Sequence, residues 1–330
     1  MLRRITLLLL VPLSAALAAC DPALDPAFAL ADEGEAGYRT SGGITLNTNF
    51  SGDHALWSLD LLGELHNGVR VTGVNLNLGG IVPVPVEAVQ VTADGGLMAV
   101  SGKVTYTTDD FLDSIWTVDF AEGDTFVSVF TQINSVRLVE GRYRYEFTLV
   151  DDPEAPLEEG EPSCAMDDSG FYEAVLLGDL TVDAATGDIT SRPNTMFIAC
   201  LSGAMGKAAS LGYVPGETVT TDEYEASVRM LRADYCGDGR SYTLPGTPLL
   251  YWDSLDPLST PGAVGSIGTW ATAATEALWT DDGALCLGAP RIGDSAVDCT
   301  IPTCAPGTNW SDYPEAMFWT KTSASMGGGL

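Results

Sequence analysis

The sequence predicts a mainly β protein with a few short helices, a β-rich α+β fold. Short segments in which apolar and polar residues alternate recur along the chain, as half-buried strands require. The 36 Gly and 18 Pro residues supply turns between such segments. Only two stretches, both in the second half, indicate helices. We therefore expect an N-terminal sandwich or barrel-like β region, followed by a domain that disulfide bonds hold together.

Residues 1–19 are predicted to be a lipoprotein signal peptide. Arg3 and Arg4 precede an apolar run at 5–13 that is too short to span a membrane. The sequence Leu-Ala-Ala-Cys at 17–20 resembles a bacterial lipobox, which implies that Cys20 receives diacylglycerol and becomes the mature N-terminus. Acyl chains contribute about 0.8 kcal/mol per buried CH₂, so Cys20 would anchor the protein to a membrane. An ordinary secretory signal that ends in Cys is the alternative, and inner versus outer membrane is left open.

The charge of the chain limits its partners. Lys and Arg number 15 against 45 Asp and Glu, for a net charge of −30. Such a surface repels phosphates, so nucleic acid is not an expected partner. Divalent cations or basic partners would be attracted, although solubility of an exported protein is the simpler explanation. Residues 20–43, which begin with the lipidated Cys, contain acids, Pro and Gly without periodicity and are predicted to form an acidic tether.

Residues 44–150 are predicted to form the β-rich region. The alternating pattern predicts strands at 69–78, 84–92, 98–106, 115–120, 126–133 and 142–150, with a hairpin turn at 94–96. Residues 151–162 (DDPEAPLEEGEP) are an acidic linker or loop. A linker between two domains and a solvated loop within one continuous β structure both fit this composition.

Residues 163–310 are predicted to form the second domain. Strands are expected at 171–182, 195–200 and 242–251, and a hairpin at 276–287. A short helix is expected at 202–211, with Gly212 just after it. A longer helix is expected at 220–235, because Thr220 and Glu223 form a capping-box pattern and Gly237 is placed to end it. Residues 311–330 end in a Gly-rich run and are expected to be a flexible C-terminal tail.

The second half contains an even number of cysteines, which favours disulfide bonds in an exported chain. They are Cys164, Cys200, Cys236, Cys286, Cys299 and Cys304. Six cysteines allow 15 pairings, and the sequence does not choose among them. Cys299 and Cys304 are near enough in sequence to close a small local loop. A zinc site is disfavoured, because this half has no His and no paired CxxC units. No cofactor is expected.

One run of eight residues has a recognisable composition. It consists of Ala233, Asp234, Tyr235 and Cys236, followed by Gly237, Asp238, Gly239 and Arg240. This run resembles the signature of the ADYC domain, a family of bacterial envelope proteins of unknown function. Segments that resemble the family in the same order are 196–200, Gly203-Ala204 with Lys207, 212–213, 246–248 and 277–286. The resemblance implies an envelope protein and assigns no activity.

Asp234 would lie in the last turn of the predicted helix, where a carboxylate faces the negative end of the helix dipole. The structural interpretation is that Arg240, or backbone N–H groups of the 237–241 turn, compensate it. The functional alternative is that Asp234 and Asp238 supply oxygens to Ca²⁺, although EF-hand spacing is missing. We expect no metal site.

Motifs for catalysis are not found. The chain has no Gly-x-Ser-x-Gly, His-Glu-x-x-His or Gly-rich phosphate loop, and its two histidines are His54 and His66. Acid pairs such as Asp167-Asp168 are too frequent in so acidic a chain to indicate glycosidase chemistry. We expect a lipid-anchored envelope protein, not an enzyme, with a binding or structural role and a protein or glycan partner. The alternatives are an exported hydrolase and a Ca²⁺-dependent binding module.

Overall fold

The computed structural model describes residues 50–51, 54–55, 58–79, 82–150, 160–183, 186–244, 246–255, 262–264, 273–292, 297–308 and 310–322. The predicted signal peptide, the tether and Cys20 lie outside these residues. Strands dominate the described part, and the helices α1 (Ala204–Ser210) and α2 (Thr221–Arg232) lie in its second half. The β-rich fold class that the sequence predicts is therefore confirmed. Neither of these helices is long and apolar enough to cross a membrane.

The strands are numbered in chain order. They are β1 (Phe50–Ser51), β2 (His54–Ala55), β3 (Leu59–Asp60), β4 (Val69–Leu76), β5 (Val84–Pro85), β6 (Ala88–Val91), β7 (Leu97–Ser101), β8 (Val104–Thr107), β9 (Ile115–Glu122), β10 (Thr125–Val139), β11 (Arg142–Val150), β12 (Glu161–Pro162), β13 (Glu173–Val182), β14 (Ile189–Cys200), β15 (Leu249–Asp253), β16 (Gly262–Val264), β17 (Ala274–Thr280), β18 (Gly283–Leu287) and β19 (Phe318–Thr322). The predicted strand at 84–92 is thus two strands, and the one at 242–251 begins only at Leu249.

The largest sheet has nine strands in the order β3-β14-β13-β11-β10-β9-β4-β5, with β12 beside β11. Its long strands pair antiparallel with their neighbours. A three-stranded sheet, β6-β7-β8, lies against it, because the turn between β6 and β7 contacts β11. There Tyr143 N–H donates to the Asp94 carbonyl at 3.0 Å, and the Tyr145 hydroxyl donates to the Gly95 carbonyl at 3.0 Å. A separate five-stranded sheet has the order β16-β15-β19-β17-β18.

Strand β13 contributes to two hydrophobic cores at once. Ala174 and Leu176 pack into the core that contains β4, β9, β11 and the three-stranded sheet. Val175 and Leu177 point to the opposite face, where α1, α2 and the five-stranded sheet pack. Alternating side chains of one strand therefore bury both faces of the large sheet, as period-2 geometry requires.

The acidic range 151–162 lies between strands of one sheet. Strands β4, β9, β10 and β11 precede it, and β13 and β14 follow it, yet all six belong to the nine-stranded sheet. The end of the range forms β12, which pairs with β11. This arrangement favours the interpretation of 151–162 as a loop within one continuous β structure. Residues 151–159 themselves lie outside the described part.

The expectation of a flexible tail from residue 311 is wrong for 318–322. Strand β19 lies in the middle of the five-stranded sheet, between β15 and β17. Phe318 is fully buried, and its ring meets that of Tyr213 edge to face at a centroid distance of 5.1 Å. The Gly-rich run that suggested a loose end begins only after this strand. Residues 323–330 lie outside the described part.

We predict that Phe318→Ala lowers the free energy of unfolding by about 3–5 kcal/mol, because it leaves a cavity in the core. Urea unfolding followed by far-ultraviolet circular dichroism measures this change. The matched control is Phe126→Ala, since Phe126 is 43% exposed. The control loses a contact with the Arg70 guanidinium and should cost no more than about 1 kcal/mol. Equal costs for the two variants would contradict the position of β19 in the core.

Candidate functional site

Helix α2 begins as the sequence predicts and ends earlier. The Thr220 hydroxyl accepts from Glu223 N–H, and the Glu223 carboxylate accepts from Thr220 N–H, which completes the capping box. The helix ends at Arg232 because Ala233 adopts the left-handed conformation, with φ of 54°. The expectation that the helix continues to 235 and ends through Gly237 is therefore wrong. The first residue of the signature run is itself the helix stop.

Asp234 lies just past the helix end and is completely buried. Its carboxylate accepts from Gly239 N–H at 2.8 Å, from Asp238 N–H at 3.2 Å and from Arg229 Nη1 at 2.9 Å. The arginine that compensates Asp234 is thus Arg229, which lies one turn earlier, and not Arg240. Arg240 is exposed and pairs instead with Asp298 and Asp238.

Arg229 is a buried arginine at the centre of a cluster of charges. Its Nη2 also donates to Glu225 at 2.5 Å and to Asp188 at 2.6 Å, so one guanidinium contacts three carboxylates. Burial raises the pKa of Glu225 to about 7, and Arg229 offsets this only in part. Burial also raises the pKa of Asp234, against the opposing effect of Arg229. One guanidinium serves three carboxylates, so its charge only partly offsets the effect of burial on the pKa of Glu225 and of Asp234.

Tyr235 connects the end of α2 to the five-stranded sheet. Its hydroxyl donates to Glu276 on β17 at 2.8 Å and accepts from Arg291 N–H at 2.7 Å. Its ring stacks on Trp279 at a centroid distance of 5.3 Å. Burial raises the pKa of Tyr235, and the neighbouring Glu276 carboxylate raises it further. The phenol therefore stays protonated and acts as a structural link.

Gly237 is needed for a reason other than helix termination. It has φ of +65°, and a Cβ at this position would lie 2.1 Å from the Asp282 carbonyl oxygen. The hairpin turn between β17 and β18 therefore packs directly on the signature backbone. Ala284 N–H donates to the Tyr235 carbonyl at 3.0 Å in the same place. Only glycine permits this approach.

The six cysteines of the second half form three disulfide bonds, Cys164–Cys200, Cys236–Cys299 and Cys286–Cys304. The local Cys299–Cys304 bridge that the short spacing suggested does not form. Cys236 of the signature pairs instead across 63 residues of sequence. Because structural disulfides persist in oxidising compartments, the three bonds indicate a location outside the cytoplasm.

The alternative Ca²⁺ site at Asp234 and Asp238 does not fit the geometry. Both oxygens of Asp234 accept hydrogen bonds from N–H groups, whereas Ca²⁺ needs six to eight oxygen ligands around it. Throughout the described residues, no group of three or more His, Cys, Asp or Glu side chains converges on a possible metal position.

The two histidines lie in the first half of the chain. His54 belongs to β2, and its side chain is outside the described part. His66 Nε2 and the Thr181 hydroxyl are hydrogen-bonded at 2.6 Å. Burial and the nearby Arg192 lower the pKa of His66, although Asp60 opposes them. His66 therefore connects the segment before β4 to β13.

A cleft of about 280 Å³ lies on the surface between β11, the turn at 167–170 and α1. We call it the Arg144 cleft; its lining residues are Arg144, Asp167, Asp168, Ser169, Leu201, Lys207, Ser210 and Leu211. These residues come from separate segments and form no sequence motif, so the sequence did not predict the cleft. Lys207 alone belonged to a segment that the family resemblance singled out.

The fold and the signature define a class of protein: a β-rich, disulfide-stapled domain whose signature residues hold a helix end against a sheet. A comparison with protein families identifies it. The model of the ADYC domain matches residues 108–293, more than half of the chain, so the chain belongs to the ADYC domain family. The match includes β9 to β12, which precede residue 163. Neither a curated protein nor a solved structure matches the chain in the corresponding comparisons.

We predict that Asp234→Ala lowers the free energy of unfolding by about 3–5 kcal/mol, because it leaves buried donors of Arg229 and Gly239 unpaired. The matched control is Asp238→Ala, since the Asp238 side chain is 42% exposed and should cost less than about 1 kcal/mol. Chemical denaturation of both variants tests this. An Asp234→Ala protein as stable as the control would show that the buried contact contributes nothing.

We predict that Glu225 makes stability depend on pH between its ordinary pKa of 4.5 and its folded pKa of about 7. Because the folded pKa is the higher one, the protonated form favours folding. That stabilisation is complete below pH 4.5 and is lost as the pH rises to about 7. Melting temperatures of Glu225→Gln should therefore fall less than those of the wild type over this range. Glu87→Gln, which changes an exposed carboxylate, should keep the wild-type slope.

Proposed function

We propose that this chain is a lipid-anchored protein of the bacterial cell envelope with a non-catalytic binding or structural role. The observation that supports this role is that the side chains of the signature residues are already held in structural contacts. Asp234, Tyr235 and Cys236 bring an acid, a phenol and a thiol together in sequence, as a catalytic site would. Each of the three is held in a contact of the scaffold: an ion pair, a hydrogen bond to Glu276 and a disulfide bond.

Two further observations support the location. The three disulfide bonds fit an oxidising compartment, which agrees with export. The Leu-Ala-Ala-Cys sequence at 17–20 resembles a lipobox, and acylation of Cys20 would attach the chain to a membrane. A net charge of −30 keeps the protein away from anionic headgroups, so attachment would depend on the lipid and not on the protein surface.

A structural role for His66 agrees with a non-catalytic protein. A hydrolase of the serine type needs a histidine within hydrogen-bond reach of both a nucleophile and an orienting acid. His66 contacts the Thr181 hydroxyl, but burial and then the charge of Arg192 lower its pKa, against the effect of Asp60, and so disfavour the imidazolium that general-base catalysis would form. This pair is better explained as a link between two strands.

We predict that the full chain, expressed in a bacterium, incorporates labelled palmitate and fractionates with membranes. Cys20→Ser should lose the label and leave the membrane fraction, because the acylated thiol is gone. Asp21→Asn changes the next residue and should keep both properties. Label that persists in Cys20→Ser would exclude lipidation at this position.

A further inference from the structure

We propose that the Arg144 cleft binds the C-terminal end of a peptide, with its carboxylate on Arg144 and Lys207 and an apolar last side chain against Leu201 and Leu211. This inference rests on the proposed binding role and supplies its ligand class. It does not depend on the lipid anchor. The argument begins with the two cations of the cleft.

Among the described residues, Arg144 has no partner within hydrogen-bond distance. It faces Arg137 directly across the β10–β11 pair, and both guanidiniums share the carboxylate of Glu173. Arg137 donates to Glu173 Oε1 at 2.6 Å, whereas Arg144 Nη1 stays 3.8 Å from Oε2, beyond hydrogen-bond distance. Glu173 Oε2 is buried and accepts no hydrogen bond from the described residues. One carboxylate therefore pairs with two guanidiniums and cannot neutralise both, so the charge of Arg144 is only partly balanced by Glu173.

Lys207 is also held loosely. Its ammonium lies 3.5 Å from Asp168 Oδ2, and the Asp168 side chain is 78% exposed, so water weakens the pair. A ligand carboxylate that enters between Arg144 and Lys207 would displace Asp168 from the ammonium of Lys207. It would also accept a charge-assisted hydrogen bond from the planar guanidinium of Arg144. In a chain with 45 acidic residues, two cations with such weak partners on one cleft are unusual.

The walls of the cleft fit a peptide better than a phosphate. Leu201 and Leu211 place apolar surface beside the cations, which suits the side chain next to a terminal carboxylate. Asp168, released from Lys207, would accept a peptide N–H. The rim acids Asp167 and Asp168 repel a dianion more strongly than a monovalent carboxylate. A volume of about 280 Å³ accommodates one or two residues rather than a long segment.

The backbone around the cleft is fixed before a ligand binds. Asp167 Oδ1 accepts from Ser169 N–H at 2.8 Å and from Phe171 N–H at 3.0 Å, which fixes the turn. Helix α1 lies close to β14, because a Cβ on Gly206 would come within 2.2 Å of the Cys200 carbonyl oxygen. The Cys164–Cys200 bond joins the segment before this turn to the end of β14. Such preorganisation lowers the entropic cost of binding.

The test titrates the purified full chain with N-acetyl-Ala-Leu, and with the same peptide as its C-terminal amide, in a calorimeter. The free acid should bind and the amide should bind at least about tenfold more weakly, because it lacks the charge. Arg144→Gln should weaken binding of the acid by about tenfold or more. Asp168→Asn should tighten it about two- to fivefold, because Asp168 no longer competes with the ligand carboxylate for Lys207 and the Asn amide oxygen can still accept the peptide N–H. Arg70→Gln, an arginine of β4 paired with Asp119, is the matched control and should leave binding unchanged.

The proposal is overturned if the wild type does not bind the free acid at millimolar concentrations, or if acid and amide bind equally. It is also overturned if inorganic phosphate competes better than the peptide, or if Arg144→Gln and Arg70→Gln behave alike. Wild-type melting temperatures of the variants would exclude misfolding as the cause. If the labelling experiment finds no acylation at Cys20 and the chain still binds the free acid, the cleft is supported and only the anchor is rejected. A membrane-bound chain that ignores the peptide would reject the cleft and keep the anchor.

Discussion

The end of helix α2 determines how the second half of the chain is assembled. The last carbonyls of any helix lack partners within the helix, and here that end is buried. Arg291, from the loop after β18, donates to the carbonyls of Met230 and Leu231 at 2.8 and 2.9 Å. Its charge is balanced by Glu276 on β17, at 3.1 Å. One buried cation thus joins a helix, a sheet and a loop, and the loss of Arg291 or Glu276 alone would leave the other as an unpaired charge in the interior.

The sequence predicts those features that depend on neighbouring residues. The capping box of Thr220 and Glu223 and the strand 142–150 were both predicted, because each pattern is complete within a few positions. The helix stop is not predicted, because the left-handed residue is Ala233, whereas the sequence pattern indicates Gly237. Gly237 is required by the approach of Asp282, a contact between residues 45 positions apart that no local pattern shows. The pairing of Cys236 with Cys299 and the position of β19 depend on the tertiary fold in the same way.

The continuity of the large sheet explains why the division of the chain is hard to predict from the sequence. An acidic, Pro-containing run such as 151–162 has the composition of a linker, since its residues cannot enter a core. The strands on either side of it nevertheless pair with each other, β11 with β13 through Tyr145 and Ala174. Ala174 and Val175, which are adjacent in sequence, then enter different cores. A sheet that is buried on both faces thus combines strands from two segments that differ in composition.

Charge balance distinguishes the two places where this chain concentrates ionisable groups. Arg229 contacts three carboxylates and Arg291 contacts one at close range, so these two arginines around the signature are already paired within the scaffold. Arg144 shares one carboxylate with Arg137 and stays beyond hydrogen-bond distance from it. Acids outnumber bases threefold in this chain, so close partners for a surface arginine are abundant. An arginine that has no close partner among the described residues is therefore the stronger indication of a binding site, although the recognisable motif lies elsewhere.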